Sequence, residues 1–143
     1  MLIKSDLNTL VFTKVYSLPI NHFFGFPIPK PIDVLETGTK GIINTIDACI
    51  KNKIKEIFLA SSSEVYQTPT KVPTDETEML KIPDIYNPRY SYGGGKILTE
   101  LMGINYGRKF FKKMIIFRPH NVYGHDMGTE HVISQFIIRF LDG

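Results

Sequence analysis

The sequence predicts an α/β fold in which helices flank a doubly wound parallel sheet. Two short segments, residues 55–60 and 113–117, each end in an uninterrupted apolar run of four residues, as strands of a buried parallel sheet do. Apolar residues recur at helical spacing before, between and after these runs. The order helix, strand, helix, strand, helix is typical of a doubly wound sheet with right-handed crossovers.

The first helix is predicted over residues 33–50, the second around residues 97–104 and the third over residues 130–140, each from its apolar periodicity. Residues 10–16 have the composition of a strand, but four prolines interrupt the segment that follows. The proline-rich segment 67–88 predicts a long loop after the strand at 55–60. Loops at the carboxyl ends of strands are where α/β folds bind their ligands, so this loop is expected to be functional.

Composition narrows the class of protein. The chain has 143 residues, 43% of them hydrophobic and 22% charged, which predicts a single globular domain with its own core. One cysteine excludes an intramolecular disulfide. The net charge of +3 is too small to predict nucleic-acid binding, and no run reaches the ~20 apolar residues of a membrane span. Without a signal-peptide core at the N-terminus, the expected location is the reducing cytoplasm.

Tyr92 and Lys96 form the most specific local signal. Their spacing of four residues near the start of a helix places both side chains on one face. Tyrosine has an ordinary pKa of ~10, and a neighbouring ammonium favours the phenolate, so this arrangement predicts a tyrosine base with a lowered pKa. Chance supplies such a pair in many sequences, and the spacing alone does not establish a site.

The surroundings of this pair strengthen the prediction. Three serines, residues 61–63, follow the strand at 55–60, where a hydroxyl can reach the same ligand crevice, although helix capping is the commoner role of such serines. Three glycines, residues 93–95, separate Tyr92 from Lys96. Glycine is costly inside a helix and tolerated where the backbone approaches another group, here the sheet or a flat cofactor ring; a flexible loop is the alternative.

Three stretches, residues 58–66, 87–96 and 118–124, together resemble the extended short-chain dehydrogenase/reductase family, the NAD-dependent nucleotide-sugar epimerases and dehydratases. The resemblance covers roughly three-quarters of the chain. It implies a partial Rossmann-like sheet, NAD as cofactor, and a nucleotide-sugar substrate. It also implies no metal site.

The resemblance assigns roles to single residues. Tyr92 matches the family's catalytic base, and Lys96 the lysine that lowers the base's pKa and binds the nicotinamide ribose. Ser62 matches the catalytic serine or threonine. Pro119 and His120 match the backbone that meets the nicotinamide carboxamide.

Substrate contacts follow from the same resemblance. Asn121 matches an asparagine that meets the substrate's diphosphate, and Ser63 and Glu64 stand where water-eliminating members have Asp-Glu. Because the aspartate is replaced by serine, the sequence favours an epimerase or a simple oxidoreductase over a dehydratase. Gln67 stands where the family has glycine, a difference that nothing in the sequence explains.

The glycine-rich turn that cradles a dinucleotide's pyrophosphate is missing from the sequence. Before residue 61 the only glycines are Gly25, Gly38 and Gly41, and they lack the G-x-x-G-x-x-G spacing. We therefore expect residues 1–143 to form one partial domain without the N-terminal glycine-loop half or the C-terminal substrate domain, with residues 1–32 as a degenerate or irregular segment.

Three functions compete on this basis. The first is an enzyme in which Tyr92, Lys96 and Ser62 assist hydride transfer between a nucleotide sugar and NAD. The second is a catalytically silent fragment or pseudoenzyme that retains half of the fold. The third, a basic nucleic-acid module, rests only on the net charge and a small lysine cluster. We also expect a homo-oligomer or a complementing chain, because a half-sheet leaves a strand edge and apolar helix faces uncovered.

Overall fold

The computed structural model describes residues 9–11, 30–120, 124, 129 and 132–142. Its sheet has three parallel strands in the order β1 (Thr9–Val11), β2 (Glu56–Ala60) and β3 (Lys113–Phe117). The predicted parallel sheet is confirmed. The two apolar runs are the strands β2 and β3, and the strand-like segment at 10–16 contributes β1, with its residues 12–16 outside the described part.

In the part of the chain that the structure describes, three helices accompany the strands: α1 (Pro31–Lys51), α2 (Ser91–Phe110) and α3 (Val132–Leu141). The first begins two residues before its predicted start because Pro31 occupies the first turn, where its missing N–H is no loss. It ends where Lys53 adopts φ 54° and reverses the chain toward β2. The second extends well beyond the predicted 97–104, since its glycines and polar residues obscure the apolar periodicity. No helix in the described part is long and apolar enough to cross a membrane.

Helices α1 and α2 pack against each other on one face of the sheet. The strand order explains this placement. Each crossover moves one strand further in the same direction, and right-handed connections that advance in one direction put their helices on the same side. The register aligns Ile57 with Met114 and Leu59 with Ile116, so these four side chains share that face.

The core lies between the two helices and the sheet. One cluster joins Ile42 and Ile46 of α1 to Leu59 of β2. A second joins Cys49, Ile54 and Ile57 at the opposite end of β2. Burial raises the pKa of the Cys49 thiol to about 11, so this cysteine serves as a small apolar core residue and is a poor nucleophile.

The glycines at the start of α2 let the helix backbone pack closely against another segment, but that segment is not the one expected. A Cβ at Gly93 would lie 3.1 Å from the Glu64 carbonyl oxygen, and one at Gly94 would lie 3.2 Å from Ile82 Cδ1. Both neighbours belong to the segment after β2. The prediction of an approach to the sheet is therefore wrong for these two glycines, because the first turn of α2 packs over that segment.

Gly103, further along α2, does approach the sheet. A Cβ there would lie 2.5 Å from Leu59 Cδ2 and 3.3 Å from Met114 Sδ. We expect Gly103→Ala to lower the free energy of unfolding by about 1 to 3 kcal/mol through overpacking. The matched control is Gly41→Ala in α1, where nothing lies within 4 Å; it should raise that free energy by about 0.5 to 1 kcal/mol. Urea denaturation of both variants measures the difference, and a Gly103→Ala chain as stable as Gly41→Ala would refute the packing.

The predicted long loop has no helix or strand of its own. It runs between two short 3-10 turns, Ser63–Val65 and Pro88–Tyr90. Its acidic residues hydrogen-bond within the loop: Glu78 accepts from the Thr70 hydroxyl at 2.7 Å, and Asp75 accepts from the Thr77 amide at 2.9 Å. The amide of Lys81 donates to the Val65 carbonyl and holds the loop against the end of β2. The loop thus lies at the carboxyl edge of the sheet, where α/β folds bind ligands.

Candidate functional site

The candidate site lies where the carboxyl end of β2 meets the first turns of α2. The side chain of Asn87 accepts a hydrogen bond from the Arg89 amide at 3.0 Å, which closes the Pro88–Tyr90 turn and directs the chain into α2. Tyr92 is therefore the second residue of α2, and Lys96 follows one turn later. The predicted sharing of a helix face by this pair is confirmed.

Tyr92 and Ser62 come together at this point. Ser62 is buried, and its hydroxyl accepts a hydrogen bond from the Glu64 amide at 3.2 Å, as an N-cap residue does. Burial raises the pKa of Tyr92 above its ordinary value, the hydrogen bond with Ser62 partly opposes this, and the Glu64 carboxylate raises the pKa further. Tyr92 is thus a neutral phenol at neutral pH in this arrangement.

The expected lowering of the tyrosine pKa by Lys96 is not found. The Lys96 ammonium donates to the Ala60 carbonyl at 3.0 Å and lies 5.7 Å from the centre of the Tyr92 ring. Burial lowers the pKa of Lys96, since a desolvated ammonium is less stable than the neutral amine. Desolvation of the phenol outweighs any attraction from the lysine, and so the expectation from spacing alone is corrected.

Ser63, Glu64 and His120 lie beside this group. The Ser63 hydroxyl is 3.0 Å from His120 Nδ1, and the Ser63 amide donates to the Pro119 carbonyl at 3.0 Å. The segments after β2 and β3 are therefore joined at the same edge of the sheet. Glu64 is close enough to Tyr92 for its charge to affect the tyrosine. The predicted substrate contact Asn121 lies outside the described residues.

An ion pair that the sequence did not predict lies next to the site, one turn of α2 beyond Lys96. Glu100, only 2% exposed, accepts from Arg118 Nε at 2.8 Å and from a second guanidinium nitrogen at 2.7 Å. The Ser61 hydroxyl also donates to Glu100, and Arg118 donates to the Tyr66 hydroxyl at 2.5 Å. The signal in the sequence was the spacing of four between Lys96 and Glu100, which continues the face that carries Tyr92.

Both members of the pair, Glu100 and Arg118, are charged. Burial alone would raise the pKa of Glu100, but hydrogen bonds from Arg118 and Ser61 and the charge of Arg118 hold it below its ordinary value. The same carboxylate raises the pKa of Arg118. Among the described residues, no group of three metal-ligating side chains could hold a metal ion. The chemistry that this arrangement can perform is proton transfer at a tyrosine hydroxyl beside a serine and a lysine.

Comparison with known proteins identifies relatives of the chain. It is 32% identical over 116 residues to UDP-glucuronic acid decarboxylase 1 of Danio rerio, a match that covers 80% of this chain and 27% of that protein. The chain therefore spans about a quarter of the length of this curated relative.

Solved structures share the fold. UDP-glucose 4-epimerase of Brucella ovis, solved in complex with NAD, matches with a TM-score of 0.59 and 25% identity over 68% of this chain and 28% of its own. A dTDP-glucose 4,6-dehydratase of Streptomyces venezuelae matches with a TM-score of 0.72 and 20% identity over 95% of this chain and 39% of its own. At that identity the second likeness supports the fold alone.

A family model decides the assignment. The model of the NAD dependent epimerase/dehydratase family matches residues 27–143, which include α1, β2, α2, β3 and α3. The resemblance inferred from the three sequence motifs is confirmed. The chain belongs to the NAD dependent epimerase/dehydratase family.

Proposed function

We propose that this chain carries the proton-transfer machinery of an NAD-dependent enzyme acting on a nucleotide sugar. The observation that carries the proposal is the convergence of Tyr92, Ser62 and Lys96 at the carboxyl end of β2. Membership of an NAD-dependent family and similarity to proteins named for UDP-sugars support the cofactor and the substrate class. Ser63 in place of an aspartate favours epimerisation or simple oxidoreduction over elimination of water.

The donor set of the site fits the nicotinamide end of NAD. The Lys96 ammonium has three N–H donors, and among the described residues its acceptor is the Ala60 carbonyl. The others suit the hydroxyls of the nicotinamide ribose, and the backbone of Pro119 and His120 would meet the carboxamide. When bound, NAD supplies the acceptor for a hydride from the sugar carbon. The described residues offer no glycine-rich turn for the pyrophosphate end.

Tyr92 is the proposed base. Its ionised form, the phenolate, accepts the proton from a sugar hydroxyl and becomes the neutral phenol, and Ser62 shares that hydrogen bond and orients the sugar oxygen. Because burial keeps Tyr92 neutral, it becomes a base only as positive charge approaches it. Lys96, already on the same helix face, is the residue positioned to supply that charge. Ser63, Glu64 and Asn121 would contact the sugar nucleotide.

The proposal also covers domain organisation, cellular location and oligomeric state. The residues that the family model matches, 27–143, belong in this proposal to one domain of the family. The expectation that residues 1–32 are irregular is corrected where the structure describes them, because Thr9–Val11 forms β1 and α1 begins at Pro31. A single cysteine that is buried as a core residue fits a reducing, cytoplasmic setting. Exposed apolar side chains on α3, Phe136 at 63% and Phe140 at 86%, favour a homo-oligomer or a complementing chain.

The test of the proposal is turnover. The protein is incubated with NAD and each of several UDP-sugars, and proton NMR follows the appearance of an epimer or an oxidised sugar. Conversion of one sugar that depends on NAD supports the proposal. A folded chain that converts none of them in the presence of a glycine-loop half from a family member would favour the silent pseudoenzyme.

Binding of NAD gives a separate prediction. The 143 residues lack a G-x-x-G-x-x-G turn, and the pyrophosphate loses the backbone N–H groups that normally bind it. We expect calorimetric titration of this chain alone with NAD to give weak binding or none. A low-micromolar dissociation constant would contradict this prediction and point to a pyrophosphate site elsewhere in the chain.

The role proposed for Lys96 is tested by Lys96→Met, under conditions in which the unsubstituted protein shows turnover. Loss of the ammonium removes a ribose contact and a positive charge near Tyr92, so affinity for NAD and turnover should both fall. In the reacting complex, where Lys96 is proposed to bring its charge toward the phenol, the tyrosine pKa should be higher in the variant, and each unit of rise lowers the ionised fraction about tenfold at fixed pH. The pH profile should therefore move to higher pH. Lys109→Met, at the exposed end of the same helix, is the control; equal profiles for the two variants would contradict the role.

A further inference from the structure

Three successive turns of α2 attach to three consecutive residues at the end of β2. The Ser62 hydroxyl lies close enough to Tyr92 to lower its pKa, the Lys96 ammonium donates to the Ala60 carbonyl, and Glu100 accepts from the Ser61 hydroxyl. A spacing of four residues brings the three helical side chains onto one face. The first two contacts belong to the site already described. The third adds an attachment that no part of the proposed chemistry uses.

Glu100 is itself anchored to a different part of the fold. Both of its carboxylate oxygens accept from Arg118, which directly follows β3. Arg118 also donates to the Tyr66 hydroxyl, and its guanidinium lies 4.9 Å from the centre of the Tyr66 ring. A bidentate pair with a carboxylate that is 2% exposed leaves little freedom in either side chain. The pair therefore ties α2, the end of β2 and the end of β3 to one point.

We propose that Glu100 and Arg118 are positioning residues that hold Ser61, and through it Ser62, in register with Tyr92. This inference rests on the proposed roles of Tyr92 and Ser62. Ser61 is the link, because its side chain bonds to Glu100 while its peptide joins directly to Ser62. Its amide also donates to the Phe117 carbonyl at 2.8 Å, so the residue is held by its side chain and by its backbone.

The location of the pair argues for this role over a purely stabilising one. Both residues lie at the carboxyl edge of the sheet, next to the proposed site, because Glu100 accepts from Ser61 and Arg118 directly follows β3. Burying a charged pair is weak as a means of stabilisation, since desolvation offsets most of the attraction. A pair with two fixed bonds is well suited to fixing the relative positions of its neighbours.

The experiment uses Ser61→Ala, which cuts the link and leaves the Glu100–Arg118 pair and all charges in place. Thr99→Val is the matched control, because it also removes a buried hydroxyl, on the same helix, whose partner is the Gly95 carbonyl rather than β2. Tyrosine labelled with carbon-13 beside its hydroxyl reports the titration of Tyr92, whose signal is assigned with Tyr92→Phe. Amide hydrogen exchange reports the order of residues 61–64.

In Ser61→Ala we expect the pKa of Tyr92 to rise, because the hydrogen bond from Ser62 that lowers it is weakened. Exchange of the Glu64 amide, which donates to Ser62, should be about tenfold faster, while amides inside β2 and β3 keep their rates. Thr99→Val should leave the Tyr92 pKa and the Glu64 exchange rate unchanged. A Ser61→Ala chain with an unchanged Tyr92 pKa, or with exchange accelerated equally throughout the sheet, overturns the proposal.

A second variant keeps the test decisive if Ser61→Ala does not fold. The double substitution Glu100→Gln with Arg118→Met removes both charges together, so no net charge acts on Tyr92. It should give the same rise in the Tyr92 pKa and the same faster exchange of the Glu64 amide. Unchanged values of both overturn the proposal. Neither readout needs NAD or turnover. Failure of the proposed enzymatic function would thus be seen in the activity assay, independently of this result.

Discussion

Tyr92→Phe should reduce turnover by a factor of at least ~10², and up to ~10⁴, because general base catalysis contributes that much and the variant has no group to accept the proton. The ring is retained, so the packing of the first turn of α2 against the segment after β2 should persist. The measurement is turnover of the sugar that the unsubstituted protein converts. Circular dichroism and the urea midpoint establish that the fold is intact.

The pH dependence sharpens this prediction. Burial raises the pKa of Tyr92, so the ionised form that acts as base becomes more populated as pH rises. Turnover of the unsubstituted protein should therefore increase toward alkaline pH, and the residual turnover of Tyr92→Phe should lack that rise.

Two controls accompany Tyr92→Phe. Ser62→Ala should lose less turnover, since water can replace a shared hydrogen bond more easily than it replaces the base. Tyr106→Phe, in the last two turns of the same helix, removes a tyrosine hydroxyl distant from the end of β2 and should leave turnover unchanged. Near-normal turnover of Tyr92→Phe would show that the Tyr92–Lys96 spacing is a chance occurrence.

The second large effect concerns stability. Arg118→Met should lower the free energy of unfolding by about 3 to 5 kcal/mol near neutral pH, because it leaves the Glu100 carboxylate buried without its cation. Methionine keeps much of the volume of the side chain, so the loss reports charge and hydrogen bonds more than packing. Urea unfolding of the variant and the unsubstituted chain measures it.

The pH dependence of this loss has a definite sign. In the unsubstituted chain the pKa of Glu100 is lowered, so its contribution to stability is present above the carboxyl's ordinary pKa and is lost as pH falls through the folded-state value. In Arg118→Met, burial raises the pKa of Glu100 and only the Ser61 hydrogen bond still opposes it. The loss of stability in the variant therefore becomes smaller as pH falls, because the carboxyl becomes neutral. The difference in stability between the two chains should shrink toward acid pH.

Two comparisons make the stability result interpretable. Adding Glu100→Gln to Arg118→Met should restore much of the stability, since no charge remains buried. Lys40→Met breaks the exposed pair with Glu36, whose side chains are 67% and 59% exposed, and should cost less than ~1 kcal/mol. A loss for Arg118→Met as small as that for Lys40→Met would show that the guanidinium does not compensate a buried carboxylate.

The sequence by itself determined the elements and the residue types at the site. Residues 57–60 and 114–117 are apolar without interruption, as is typical of buried parallel strands, and this pattern identified β2 and β3. The i, i+4 spacing of Tyr92 and Lys96 indicated one helix face because that spacing is a local property of any α-helix. The three motifs identified the family, because each is a short local pattern and their order along the chain is read directly from the sequence.

Tertiary structure decided what those residues experience. Glu100 and Arg118 are 18 residues apart, and Ser61 and Glu100 are 39 apart; only the packing of α2 beside the ends of β2 and β3 brings them into contact. The direction of the Tyr92 pKa depended on burial, which is a sum over neighbours from several elements, and spacing predicted the opposite sign. The hydrogen bond from the Lys96 ammonium to the Ala60 carbonyl likewise depends on the packing of α2 against the end of β2. Local periodicity encodes which face a side chain occupies, whereas desolvation and ion pairing depend on what the fold places opposite that face.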